Sequence, residues 1–283
     1  DQEAYDTVLP YLEKIGKHTI YLGSDAQARY MKIAVNMMIC SYLTMYGEVL
    51  SAGEGMGFAW DELNRILEAS LGASPMLTDK GTTLKERIWS SQTALTSTAL
   101  KDLSLALDCA QKGGYALPVT AMICQYDSYM HNNPKYSSYS SFGTIGVLED
   151  ISGRIPGQYI PVAADNKTEY ARALEDVLTG VTILLAGEAV AFCKKEDIDR
   201  NLALECLGTC HGASKYFKDI YKNIIDGNAS DTLTLGRFRN ALDIVLASGK
   251  NAGQFLPIMA VCSQQINLAV NEHGCEEGIS IIL

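Results

Sequence analysis

Two blocks of helical periodicity repeat each other along this 283-residue chain, and that repetition restricts the fold more than any single motif does. Gly47-Glu48 falls on Gly187-Glu188 at an offset of 140. Near the end of each block the offset is 139, where Leu103 and Leu107 fall on Leu242 and Leu246. At that same offset the pattern Gly-x-x-Leu-Pro-x-x-Ala-x-x-x-Gln begins at both Gly114 and Gly253. Amphipathic helices share leucines by chance, but not an ordered run of Gly, Leu, Pro, Ala and Gln in one register. Two copies are too few for a solenoid, so the expected architecture is all-α, with two tandem helical units packed as a pseudo-twofold pair.

The periodicity predicts a short helix over Glu3–Ile15, a stop at Gly16-Lys17-His18, and a strand-like His18–Leu22 closed by Gly23. One strand cannot make a sheet, and the rest of the chain offers it no partner. Ser24 and Gln27 have capping-box spacing and open an apolar helix that runs to about Gly53. Further helices are expected at Trp60–Ser70, Thr93–Lys112 and Pro118–Met130. From His131 to about Pro161 the composition shifts to Asn, Ser, Tyr, Gly and Pro, which reads as a linker or surface excursion, with Tyr136 and Tyr139 as a possible flap. Helical periodicity then resumes at Thr168–Ala191, Asp197–Leu207, Ala213–Asp226, Gly236–Ser248 and Pro257–Asn271. Ile33–Gly47 carries no charge but is shorter than a bilayer requires, so it is expected to be a buried helix.

Charge narrows the function classes. With 23 Lys+Arg against 33 Asp+Glu the net charge is −10, and no basic run offsets it, so nucleic acid and anionic membranes are not expected partners. The eight cysteines lie mostly in apolar runs such as MMIC and MAVC, which fits a reducing, cytoplasmic setting. Cys206-x3-Cys210-His211 has no second Cys/His pair at zinc-site distance, so no metal site is expected. The four histidines are scattered, no nucleophile elbow is present, and no signal peptide is visible.

One pair stands out chemically. Lys32 and Asn36 are one helical turn apart and share a face. Burial among Met31, Ile33, Ala34 and Val35 would lower the lysine pKa toward the range useful for proton transfer. By spacing alone, a surface Lys and Asn on an amphipathic helix is the stronger reading.

The run Gly23-Ser-Asp-Ala-Gln-Ala-Arg-Tyr-Met-Lys32-Ile-Ala-Val-Asn36 resembles the G-x-x-G-x-G-x-x-x-K-x-x-x-N motif of the β-hydroxyacid dehydrogenases, a family that includes 3-hydroxyisobutyrate dehydrogenase and tartronate semialdehyde reductase. Ala26 and Ala28 stand where that motif has its second and third glycines. Gly47-Glu48, Leu100-Lys101-Asp102-Leu103 and Gly114-x-x-Leu-Pro118 also resemble the family's helical C-terminal region, in the same order. The resemblance implies that Lys32 is the general acid/base, that Asn36 and Lys101 bind substrate, with Lys101 also on the nicotinamide side, and that Asp102 supports Lys101. The implied reaction is hydride exchange between NAD or NADP and a small hydroxy acid or semialdehyde. Glu48 is expected in helix packing or a buried hydrogen bond.

No G-x-G-x-x-G follows a strand in this chain, so the cofactor is expected to be held mainly by a Rossmann domain outside it. The chain has no initiator Met, and residues 1–23 resemble the end of that missing domain. The remaining divisions are 24–135 as the active-site copy, 136–164 as linker and 165–283 as a degenerate copy. In the second copy Arg172 and Asp176 take the Lys32 and Asn36 positions, while Asn240 and Ala241 take those of Lys101 and Asp102. Arginine does not accept a proton near neutral pH, so this copy is expected to be catalytically silent. By resemblance to the duplicated helical domain of 6-phosphogluconate dehydrogenase, it is expected to pack on the first copy and complete the pocket wall behind Lys32. A homodimer is a further expected partner. The alternative is a non-catalytic helical module for oligomerisation or partner binding.

Overall fold

The computed structural model describes residues 1–90, 96–154, 164–228 and 230–283, and among them the chain is all-α. Helix α1 (Gln2–Ile15) starts where the Asp1 carboxylate accepts the Ala4 N–H at 2.8 Å. The stretch expected as a strand, 18–22, has no regular secondary structure; it is held by the Tyr5 ring against Tyr21, with centroids 4.9 Å apart. A strand needs a ladder, and among the described residues only two isolated bridges occur, Ser90 with Tyr139 and Thr234 with Gly278.

The capping box forms as its spacing predicts. Ser24 Oγ accepts the Gln27 N–H at 3.2 Å and Gln27 Oε1 accepts the Ser24 N–H at 3.1 Å, opening α2 (Asp25–Gly55). After it come α3 (Trp60–Ala69), α4 (Pro75–Lys85), α5 (Thr96–Gly113) and α6 (Pro118–Asn132). The expected start of α5 at Thr93 lies outside the described residues. The second half has α8 (Ala164–Lys195), α9 (Arg200–Thr209), α10 (Lys215–Ile225), α11 (Leu235–Asn251) and α12 (Pro257–His273).

Both α2 and α8 are long and apolar enough to cross a bilayer by length and composition. Their apolar windows are 72% and 83% buried within the protein, which makes them the two central helices of its core. The halves meet along these helices at contacts that recur at the 140-residue offset. A methyl group added at Gly72, between α3 and α4, would lie 2.6 Å from the Thr179 nitrogen of α8. One added at Gly212, between α9 and α10, would lie 3.0 Å from the Ile39 backbone of α2. Tyr42 Oη donates to the Gly72 carbonyl and accepts the Ser74 N–H, and at the matching positions Thr182 Oγ1 and Ser214 Oγ are 3.0 Å apart. The Lys215 N–H donates to the Ala73 carbonyl, whereas its counterpart Pro75 has no N–H to return the bond.

Two buried glutamates exchange partners across the halves. Glu48 on α2 accepts the N–H groups of Ile258 and Met259 at 3.1 and 2.7 Å, in the first turn of α12. Glu188 on α8 accepts those of Val119 and Thr120 at 2.7 and 2.9 Å, in the first turn of α6. Both recipient helices begin with a leucine that caps nothing and a proline without an N–H, so each carboxylate satisfies free donors and meets the positive end of a helix dipole. The buried hydrogen bond expected of Glu48 is therefore present, and it reaches the other half. Burial pushes the Glu48 carboxyl up to about 8 although its three hydrogen bonds pull the other way, and burial raises Glu188 as well.

The expected excursion from His131 onward needs correction. A 3-10 turn (Ser141–Gly143) and α7 (Thr144–Ile151) pack against α2, and Phe142, Ile145 and Leu148 are fully buried. Arg87 ties this segment down by pairing with both Glu149 of α7 and Glu54 of α2, its guanidinium 4.1 Å from the Trp60 ring centre. Tyr136 is buried too, in a small cluster with Met130 and Val147, rather than standing as an exposed flap. Polar composition misleads here because the apolar residues are few, yet most of them are buried, Phe142, Ile145 and Leu148 in the main core and Tyr136 and Val147 in the small cluster. Residues 155–163 of the expected linker lie outside the described part.

Candidate active site

Lys32 and Asn36 leave α2 on one face, one turn apart, and both meet Asp102 of α5. Lys32 Nζ lies 3.1 and 3.3 Å from the two Asp102 oxygens, and Asn36 Nδ2 donates to Oδ2. Lys101 Nζ approaches the same carboxylate at 3.4 Å. All four residues singled out in the sequence are thus brought to one point, where α5 crosses the start of α2.

The charges are arranged unevenly. Asp102 is only 2% exposed, while the Lys32 and Lys101 side chains are 60% and 65% exposed. Burial raises the Asp102 pKa, but the hydrogen bonds from Asn36 and Lys32 and the charges of Lys32 and Lys101 outweigh it and leave the group below its usual value. A buried anion therefore anchors two cations whose outer faces remain open, for a local surplus of one positive charge. The expected burial of Lys32 is not found: Met31 and Ala34 point into the core, whereas Lys32 lies on the exposed side of the helix.

The expected wall behind Lys32 is also absent among the described contacts. The second half reaches this end of α2 elsewhere, through Gln27 Nε2 donating to the Asp197 carbonyl at 2.7 Å and through the Tyr30 ring against Phe192. Residues 30 and 32 point roughly 200° apart on a helix, so a neighbour that packs on Tyr30 cannot back Lys32. The other metal-type candidates are dispersed: Cys206 and Cys210 are buried as small core residues, and His211 pairs with Asp79 at 2.6 Å.

At the corresponding place in the second half, Arg172 is exposed and Asp176 is gripped by Arg237 of α11 through two bonds of 2.6 and 2.7 Å. Reading the sequence did not single out Arg237. Its only signal is a cation on α11 facing an acid gained on α8, a pairing that becomes visible only when the helices are placed side by side.

The family model for the NAD-binding domain of NADP-dependent 3-hydroxyisobutyrate dehydrogenase matches residues 26–138 and 167–283. The chain belongs to the β-hydroxyacid dehydrogenase family. Among curated proteins, this family member is 27% identical over 121 residues to glyoxylate/succinic semialdehyde reductase 1 of Arabidopsis thaliana, covering 43% of this chain and 42% of the relative. It is 26% identical over 121 residues to the chloroplastic glyoxylate/succinic semialdehyde reductase 2 of the same plant, covering 43% and 34%. It is 27% identical over 127 residues to 2-(hydroxymethyl)glutarate dehydrogenase of Eubacterium barkeri, covering 44% and 41%. The matched region spans about two fifths or less of each relative's length. No solved structure matches the chain significantly.

Proposed function

We propose that this chain is the substrate-binding and assembly region of an NAD(P)-dependent 3-hydroxy acid dehydrogenase or semialdehyde reductase. The observation that carries this reading is the convergence of Lys32, Asn36 and Lys101 on the buried Asp102 carboxylate. Lys32 Nζ takes the hydroxyl proton in the oxidative direction and returns it in the reductive one. Asp102 positions the amine and fixes the Asn36 amide, whose carbonyl oxygen is left to accept a substrate hydroxyl. The outer face of the Lys101 ammonium meets the substrate carboxylate. When bound, NAD(P) supplies the hydride acceptor.

The residues present suit the substrate and the nicotinamide edge, since both lysines are open to a ligand. None of the described helix starts is a glycine-rich turn after a strand, so the pyrophosphate would be held by a Rossmann domain outside this chain. That domain would also cover the apolar stripe of α1, where Val8, Tyr11, Leu12 and Ile15 are exposed at i, i+3, i+4 and i+7. Closing over Lys32, it would supply the desolvation that this region does not give the amine by itself.

We read the halves as two copies of one unit, the second silent in catalysis and structural in role. Support comes from the contacts recurring at offsets of 140 and 139 and from the two matched stretches. Paired in this way, the second half would take the place a partner subunit has for a single unit.

The test is a Lys32→Ala variant of the complete enzyme, assayed for NADPH and NADH oxidation with glyoxylate and succinic semialdehyde. Turnover is expected to fall by roughly 10²-fold or more, with unchanged oligomeric state. Retained turnover in the variant would overturn the catalytic assignment and favour a non-catalytic helical module.

A further inference from the structure

The second half keeps a cleft where the first half has its lysines. It lies between α8 and α11, encloses about 420 Å3, and is lined by Glu169, Arg172, Asp176, Arg237, Asn240 and Ala241 among others. That volume is within the roughly 300–1,000 Å3 typical of ligand pockets. The cleft is more than an eroded remnant, because its charges have been rebuilt. In the first half the cation is on the long helix and the acid on its neighbour, Lys32 to Asp102. In the second the acid is on the long helix and the cation on its neighbour, Asp176 to Arg237. The ion pair has been reversed across the same seam.

This reversal leaves a cation available. Arg237 is committed, with two bonds to Asp176 and a third, at 3.1 Å, to the Thr232 carbonyl. Arg172 makes no hydrogen bond or ion pair with the described residues. The acid that occupies both lysines in the first half is replaced by Ala241, so no carboxylate from α11 competes for it, while on its own helix the Arg172 charge acts on Glu175 and Asp176 and favours their ionised forms. An arginine fork is matched to a planar carboxylate, and with five donors it recognises one in two places. The other open polar groups in the cleft are the Glu169 carboxylate, an acceptor, and the Thr168 hydroxyl and Asn240 amide, which both donate and accept. These suit hydroxyl groups.

We propose that this cleft is a second, non-catalytic binding site for a small hydroxylated carboxylate, held by Arg172 with Asn240 and Glu169 on its hydroxyls. Arginine keeps its proton at neutral pH, so the ligand is bound and not turned over. The site is separate from the Lys32 site and does not depend on the assignment made there.

The experiment is titration of the full chain with 13C-labelled glycerate followed by NMR, with propionate as the control lacking hydroxyls. The wild type is expected to bind glycerate at the Arg172 site in preference to propionate. Arg172→Ala should weaken that binding roughly tenfold or more, as loss of charge-assisted hydrogen bonds does. Ala241→Asp is the second variant: it restores an acid beside Arg172 without removing any side chain, and should block the site equally. A thermal melt of each variant guards against unfolding. Glycerate binding that is absent, that matches propionate, or that survives both Arg172→Ala and Ala241→Asp overturns the proposal. Loss of binding in Lys101→Ala alone would do the same while supporting the first site. Loss in the Arg172 and Ala241 variants alone supports the proposal, whatever becomes of the reading of Lys32.

Discussion

Asp102 is the residue on which the candidate site depends, because two lysines and an asparagine are oriented by its one carboxylate. Asp102→Asn keeps the shape but removes the charge and sets an amide N–H against the donors it should receive. Lost charge-assisted hydrogen bonds predict a destabilisation of about 1.5–3 kcal/mol, readable as a lower urea midpoint at pH 7. An unchanged midpoint would mean that the lysines are not held there in solution. The depressed pKa sets the sign of the acid limb: the stabilisation is present above the ordinary aspartate value and is lost as pH falls through the lower folded value. The Asn variant should lack that loss. The four residues of this candidate site were named from the sequence only through the family resemblance, since spacing alone marks Lys32 and Asn36 as no more than neighbours on a helix face. Arg237 was not, because it belongs to no motif and acquires meaning only from the acid it faces.

Among the elements, the close seams between the halves rest on two glycines. A side chain at Gly72 or Gly212 meets the backbone of the opposing long helix, which cannot rotate out of the way as a side chain does. Gly72→Ala and Gly212→Ala are therefore each expected to cost about 1–3 kcal/mol, measured as a drop in Tm. The Gly72 change should be the larger, since its contact is 2.6 Å against 3.0 Å. A glycine replacement without effect on Tm would place the helices further apart than described. The long helices, the capping box of α2 and the proline-led helices α6 and α12 were readable from periodicity and end signals. Helix α7 was not, for its anchors are the partners of Arg87 and a few buried side chains in a polar-looking stretch. Helix α4 was missed for a related reason: Pro75 marks its start, but Thr, Asp, Lys and Gly follow and blur the period.

For the whole molecule, several carboxyls are buried with raised pKa values. Burial pushes Glu48 up to about 8 from an ordinary 4.5, and Asp127 up to about 8 despite hydrogen bonds from Ser141 and Thr44. In the unfolded chain these groups ionise at their ordinary values, so between the two the folded state holds more protons. Stability must then fall as pH rises from about 4.5 toward about 8, the reverse of the Asp102 limb. Thermal melts between pH 5.5 and 8 should show a falling Tm, with a shallower fall in Glu48→Gln, whose amide does not titrate. A Tm that holds or rises over that interval would show that these carboxyls are ionised in the fold.

The exchanged glutamates also bear on how this chain is free to change. On the proposed reading the second half performs no chemistry and would ordinarily drift, yet Glu188 holds the first turn of α6 in the half that carries Lys32, and Glu48 holds α12 in return. Each half is thereby exposed to selection on its neighbour. In a saturation-mutagenesis screen for active enzyme, position 188 should be purged as strictly as position 48, while Asp176 and Arg237 tolerate any pair that keeps the helices together.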